Sequence, residues 1–264
     1  MATSCPVGFS VDELRARVRE TYDRLARAPD GDFHFNRGAA YAALRLGYDP
    51  NELAALPPAA TERFAGVGNP LRIGPILPGE TVLDHACGAG TDLLLAARRV
   101  GPRGRAIGVD MTPRIRAQAV AAATAADLAS VVDVRPGLME DLPVADACVD
   151  VVISNGVVNL SPDKPRVFRE IARVLRPGGR LYLADVVVAR ELALEVREDP
   201  ELWAACIGGA VREDELPELA AAAGLEPLGV TERFDAFGGT KAGAKLSADL
   251  RAHAVNFLAR RRGS

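Results

Sequence analysis

The stretch that most constrains this chain runs from Thr81 to Met111, TVLDHACGAGTDLLLAARRVGPRGRAIGVDM. Val82 and Leu83 end an apolar, strand-like run, and Asp84 stands where such a strand would stop. Cys87, Gly88, Ala89 and Gly90 then make a tight turn of small residues. Thr91 to Val100 has helical spacing, with Leu94, Leu95 and Val100 on its apolar side. Gly101, Pro102 and Gly104 break that helix, and Arg105 to Val109 reads as a second strand ending at Asp110. A strand, a glycine-rich turn, a helix and a strand tipped by an acid form the opening unit of a nucleotide-binding α/β fold.

Each part has a physical reason. Glycine lets backbone approach a ligand where a side chain would collide. The free amide groups at a helix start attract negative charge and hydrogen-bond acceptors. A carboxylate about twenty residues past the turn can accept both hydroxyl hydrogens of an adenosine ribose. A close strand-to-helix turn with no ligand would also use small residues, and Ala86 stands where a dinucleotide site would want another glycine. The turn, the acid and the order of the elements together favour a nucleoside ligand.

The rest of the chain repeats the alternation. Thr112 to Ala129 reads as an alanine-rich helix and Val131 to Val134 as a short strand. Val149 to Ile153 is a continuous apolar, β-branched run, as expected of a strand buried on both faces. It ends at Ser154 and Asn155, polar residues where open α/β sheets place their ligands. Ser161 to Leu175 reads as a helix with Pro162 in its first turn, and Arg180 to Val188 as the next strand. Glu213 to Ala223 reads as a helix, and Pro227 to Arg233 and Ala254 to Ala259 as strands, the last a candidate antiparallel strand at the sheet edge. Such alternation prescribes a largely parallel sheet covered on both faces.

Ahead of this unit, Ser10 and Glu13 form a capping-box pattern before a helix carrying Leu14, Val18, Tyr22 and Leu25 at helical spacing. Short helices are expected over Ala39 to Leu46 and Pro50 to Pro58, then an irregular segment, TERFAGVGNP, over Thr61 to Pro70. Residues 1–70 therefore read as a helical cap or lid, and residues 71–264 as the cofactor-binding domain. The net charge of −3 and the lack of a long basic block argue against nucleic acid as a partner. No apolar run reaches a membrane span, and no secretory signal is visible. Cys5, Cys87, Cys148 and Cys206 have neither disulfide-framework nor zinc-ribbon spacing, so reduced thiols in the cytoplasm are the default, with no metal cluster.

Taken in order, DHACGAG with GVD, then EDLP, DVVISN and FREIARVLRPGGRLYLADVV, the chain resembles the class I S-adenosylmethionine-dependent methyltransferases over about Leu71 to Leu225. The resemblance implies a doubly wound, Rossmann-like, mostly parallel α/β sheet of seven strands, with S-adenosyl-L-methionine at the carboxyl ends of the first strands. It implies that Asp84, Ala86, Gly88 and Gly90 border the methionine portion, Asp110 the ribose, and Met111, Met139 and Glu140 the adenine. Many members carry an acid where this chain has Leu138. Asn155 becomes the candidate catalytic and cofactor-proximal residue, close to the transferring methyl, and Asn159 a substrate-side candidate.

A narrower similarity is to the arsenite methyltransferases, carried by AGVGNP, GPRGRAIGVDMT, LPVADACVDVVISNGVVNLSPDK and LWAACIGGA. That family implies cysteine thiolates on trivalent arsenic, one in the segment matching Asn155 to Leu160 and another in that matching Ala204 to Ala210. The second is present as Cys206, whereas Gly156 occupies the first. The expectation is therefore a methyltransferase acting on a small, organic acceptor. The alternatives are arsenite or another thiophilic metalloid as acceptor, and a non-catalytic cofactor-binding protein of the same fold. His34 and His85 are candidate bases by chemistry only; His34 lies between two phenylalanines and His85 inside the cofactor turn, which favours structural roles.

Overall fold

The structure, a computed structural model, describes residues 8–33, 35–204, 206–238 and 251–263; Cys5 and His34 lie outside them. Five parallel strands form its centre: β1 (Thr81–Asp84), β2 (Arg105–Asp110), β3 (Val132–Pro136), β4 (Val149–Asn155) and β5 (Leu175–Val188). A two-residue strand, β6 (Val211–Arg212), adds to the end of β5 in parallel. β7 (Leu225–Phe234) and β8 (His253–Arg261) complete the sheet in the order β3-β2-β1-β4-β5-β8-β7. β8 is antiparallel to both its neighbours, so it lies inside the sheet, and β7 takes the edge that the sequence pattern assigned to β8.

The continuous apolar runs explain this placement. Val151, Val152 and Ile153 of β4, Leu181 and Leu183 of β5, and Val255, Phe257 and Ala259 of β8 are all buried, which only inner strands allow. β7 alternates exposed and half-buried residues, as an edge does. β5 begins at Leu175, five residues before the expected Arg180, because Leu175 pairs with Val149 of β4; Arg176 to Gly179 then bulge out, with Gly178 at φ +78, before pairing resumes at Arg180.

Helices cover both faces. α5 (Thr91–Val100) and α6 (Pro113–Ala125) follow β1 and β2, and α7 (Lys164–Val174) joins β4 to β5. α7 starts later than the expected Ser161: Pro165, not Pro162, fills the first turn, and the Asp163 carboxylate accepts from the Arg166 amide at 2.9 Å. Its Val167, Phe168, Ile171 and Val174 are fully buried, each contributing on the order of 2 kcal/mol by burial. α8 (Leu194–Arg197) and α9 (Pro200–Ala204) follow β5, and α10 (Glu215–Ala222) precedes β7.

At the N-terminal end, α1 (Val11–Arg27) is capped by the Ser10 hydroxyl, which accepts from the Glu13 amide at 3.1 Å. α2 (Gly38–Leu46), α3 (Pro50–Ala54) and α4 (Pro58–Thr61) follow. Leu14, Val18, Leu46, Leu53 and Phe64 from this region share one apolar core with Val82, Leu93 and Ile153 of the sheet layer. Among the described residues no helix is long and apolar enough to cross a membrane.

Candidate functional site

The strand register builds the site. Asp84 ends β1 level with Gly108 of β2 and Ile153 of β4, so Asp110 and Asn155 project two residues further on either side. The chain winds to β2 and β3 on one side of β1, and to β4 and β5 on the other. The crevice beyond β1 is the topological switch point of an open α/β sheet.

That crevice has two lobes, both lined by Tyr22, Ala86, Gly88 and Val157. The larger, about 640 Å³, adds Arg15, Val18, Asp110, Met111, Met139, Glu140 and Ser161. The smaller, about 480 Å³, adds Asp84, Asp92, Asn155, Arg63, Phe64 and Ile115.

The turn between β1 and α5 is the divide between them. Gly88 adopts φ +53, and a Cβ there would meet nothing within 4 Å, so the backbone is bare toward the crevice. Its amide donates to Asp110 Oδ2 at 3.0 Å, while the Thr112 amide donates to Oδ1 at 2.8 Å. The carboxylate is thus fixed edge-on, and each oxygen keeps lone-pair capacity for a ligand hydroxyl. Burial pushes its pKa up, against the pull of those amides. Burial likewise pushes Asp84 well up, with the charges of Asp92 and Asp110 adding to it. Carboxylates crowded in this way favour a cationic guest, which would restore their ionisation. Bare backbone, a ribose-ready carboxylate and a negative field fit S-adenosylmethionine, an adenosine joined to a cationic sulfur and an ammonium group.

Asn155 holds the crevice together. Its Oδ1 accepts from the amides of Val67 at 2.8 Å and Gly68 at 3.2 Å. Its Nδ2 faces the Asp92 carboxylate at 2.9 Å, the Gly68 carbonyl at 3.0 Å and the Tyr48 hydroxyl at 3.1 Å. Tyr48 in turn donates to Asp92 at 2.6 Å. The side chain therefore ties the irregular segment before the sheet to the tip of β4 and the first turn of α5.

Other expected residues lie elsewhere. Gly90 closes the turn, donating to the Cys87 carbonyl at 2.9 Å, and does not line either lobe. Asn159 is 1% exposed, its amide bonded to Asp185 at 2.8 Å and to the Val186 carbonyl at 2.7 Å, away from the lobes. Cys206 is 6% exposed, adopts φ +63, and donates to the Gly156 carbonyl at 2.8 Å. Burial pushes its thiol well up, so it is not a thiolate at neutral pH. Gly156, at φ +70, faces Val67: a Cβ there would lie 3.2 and 3.3 Å from the two valine methyls. His85, by contrast, borders the larger lobe but is buried, with Nε2 2.8 Å from the Ser154 hydroxyl, and burial brings its pKa down to about 4.

The sequence reading missed the wall opposite the sheet. Arg15, Val18 and Tyr22 of α1 line the larger lobe, and Glu140 is met by the Ser161 hydroxyl at 2.8 Å and Arg15 at 3.7 Å. The signal was present as the helical spacing of Val18 and Tyr22, which served equally well for core packing.

Residues 76–224 match the family model described as a methyltransferase domain. The arsenite methyltransferase of Halobacterium salinarum is 40% identical over 84% of this chain, which spans 60% of that protein's length. Nocamycin O-methyltransferase of Saccharothrix syringae is 37% identical over 58% of this chain and 55% of its own. Among solved structures, an arsenic(III) S-adenosylmethionine methyltransferase from Chlamydomonas reinhardtii superimposes with a TM-score of 0.65 at 33% identity, covering 86% of this chain and 74% of that one.

Proposed function

The chain belongs to the class I S-adenosylmethionine-dependent methyltransferase family, and on that premise we propose that it methylates a small organic molecule whose acceptor atom arrives already ionised. The observation that carries the cofactor half is the bare Gly88 backbone bonded to the Asp110 carboxylate at the switch point. Asp110 would hold the ribose hydroxyls, Met111, Met139 and Glu140 would border the adenine, and Asp84, Ala86 and Gly88 the methionine portion. When bound, S-adenosylmethionine supplies an electrophilic methyl carbon on a cationic sulfur, open to in-line displacement by an acceptor lone pair. The chain's own part is to hold both molecules in line and to exclude water. Asn155 serves by fixing the Val67–Gly68 segment against the sheet, and α1 by closing the crevice from the side opposite β1.

The protonation states of His85 and Cys206 support this acceptor class. His85, down at about 4 and buried against Ser154, is a weak base, and the Cys206 thiol is held neutral. An acceptor that carries its own negative charge, such as an acidic enol or phenol, requires no proton removal by the protein. Among the described residues, Cys206 meets Gly156, whose own neighbour is Val67, where a second sulfur would be needed.

A second reading, methylation of arsenite, is favoured by the archaeal and algal relatives and by the presence of Cys206. The two separate in one experiment. Purified protein is incubated with labelled cofactor and, in parallel, 4-hydroxycoumarin, 4-nitrophenol, and trivalent arsenic with excess glutathione. Label on an acidic enol or phenol supports the organic acceptor. Label on arsenic alone, abolished by Cys206→Ser, replaces it with the metalloid.

A further inference from the structure

Tyr22 is placed unlike Tyr48 and Tyr182. Tyr48 donates its hydroxyl to Asp92, and Tyr182 donates to the Pro75 carbonyl at 3.0 Å. Tyr22 lines both lobes of the crevice, and its hydroxyl forms no hydrogen bond among the described residues. It is nonetheless held firmly. Its ring stacks on Phe35, with centroids 6.2 Å apart and planes 15° from parallel, and Phe35 packs on Phe33 at 5.3 Å.

The helix that carries it is anchored on the same face. Asp23 pairs with Arg114 at 2.9 Å, and the Ala26 carbonyl accepts from Gln118 at 2.8 Å and Arg63 at 3.1 Å. Leu25 and Ala26 pack with Ala89 of the cofactor turn and Ile115 of α6. A firmly held phenol thus lines the crevice where its two lobes meet. Burial, with the charges of Asp110 and Asp185 adding to it, pushes its pKa well up, so the phenol keeps its proton.

We propose that Tyr22 is the residue that positions the methyl acceptor, donating a hydrogen bond from its phenol to an oxyanion of that molecule. The inference rests on the organic-acceptor reading and narrows it. The acceptor presents an enolate or phenolate oxygen toward α1, with its apolar body against Phe64, Ile115 and Val157. A hydrogen bond donated by a neutral phenol to an anion is a strong one, and it orients the acceptor without transferring the proton.

The test uses 4-nitrophenolate as probe and the full-length protein loaded with S-adenosylhomocysteine. Tyr22→Phe keeps the ring and its stacking on Phe35, so thermal unfolding and S-adenosylhomocysteine affinity should stay within about twofold of wild type. The variant should bind 4-nitrophenolate about tenfold more weakly or worse. It should also lose the blue shift that hydrogen-bond donation imposes on the bound probe's absorption band. Equal probe affinity and an equal band position in the two proteins would overturn the assignment, as would a variant that loses S-adenosylhomocysteine together with the probe. A wild-type protein that binds S-adenosylhomocysteine but no 4-nitrophenolate overturns the Tyr22 assignment alone. One that binds neither overturns the methyltransferase reading beneath it.

Discussion

His85 makes the stability of this protein depend on pH in a way that can be isolated. Its imidazole is 1% exposed at the end of β1, one nitrogen bonded to Ser154, and burial brings its pKa from 6.5 to about 4. The folded state therefore binds this proton less readily than the unfolded chain does. The stability that comes from keeping the ring neutral is complete above pH 6.5 and is lost as pH falls from 6.5 toward 4. At about 1.4 kcal/mol per pH unit, the drop is worth about 3 kcal/mol, a large part of the net stability of a domain. Urea unfolding of wild type and His85→Leu, measured from pH 7 to pH 4, checks this. Leucine is apolar and of similar size; losing the Ser154 contact shifts its curve by a constant amount. The difference between the two curves should shrink or reverse by about 3 kcal/mol as pH falls through the window. Parallel curves would refute the reasoning, because every other titrating group is common to both proteins.

Asp185 works in the opposite sense. Burial pushes it up to about 6, so the stability of its protonated form, full below about pH 3.8, is lost as pH rises through 6; the difference curve for Asp185→Asn should slope opposite to that of His85→Leu. Asn155→Leu leaves the Val67 and Gly68 amides without this acceptor and the Asp92 carboxylate with Tyr48 as its remaining side-chain donor. It should cost about 3 kcal/mol by urea unfolding and weaken S-adenosylhomocysteine at least about tenfold by calorimetry, and wild-type values on both would contradict the clamp. Val67→Ala combined with Gly156→Cys removes the methyls that a residue-156 side chain would strike and sets a second thiol beside Cys206. This double variant should take up about one trivalent arsenic per chain, measured by mass spectrometry under native conditions, where wild type takes up little. Equal uptake by both would show that Cys206 needs no second sulfur.

The fold was legible wherever one element sufficed to explain a run of residues. Thr81 to Asp110 had to be a strand, turn, helix and strand, because glycines and apolar spacing change period at fixed points, and the structure follows. The position of β8 was not legible: Ala254 to Ala259 read as a strand, but only its pairing with β5 shows that it is an inner one. The start of α7 turned on which of two nearby prolines took the first turn, a choice made by the Asp163 cap. In the site, Asp84, Gly88, Asp110 and Asn155 could be located because strand ends collect in one crevice. Tyr22 could not, because helical periodicity marks a buried face without saying whether it meets core or cavity. Val67 was equally hidden: only the folded chain brings it against Gly156, nearly ninety residues away.

The most direct measurement is titration calorimetry of wild type and Asp110→Ala with S-adenosylhomocysteine. Wild type should bind in the micromolar range, and loss of the carboxylate that faces the Gly88 amide should weaken binding about tenfold or more, with the fold intact by circular dichroism. Wild-type protein that shows no binding at millimolar ligand, or an Asp110→Ala variant that binds as well as wild type, would contradict the placement of adenosine in this crevice.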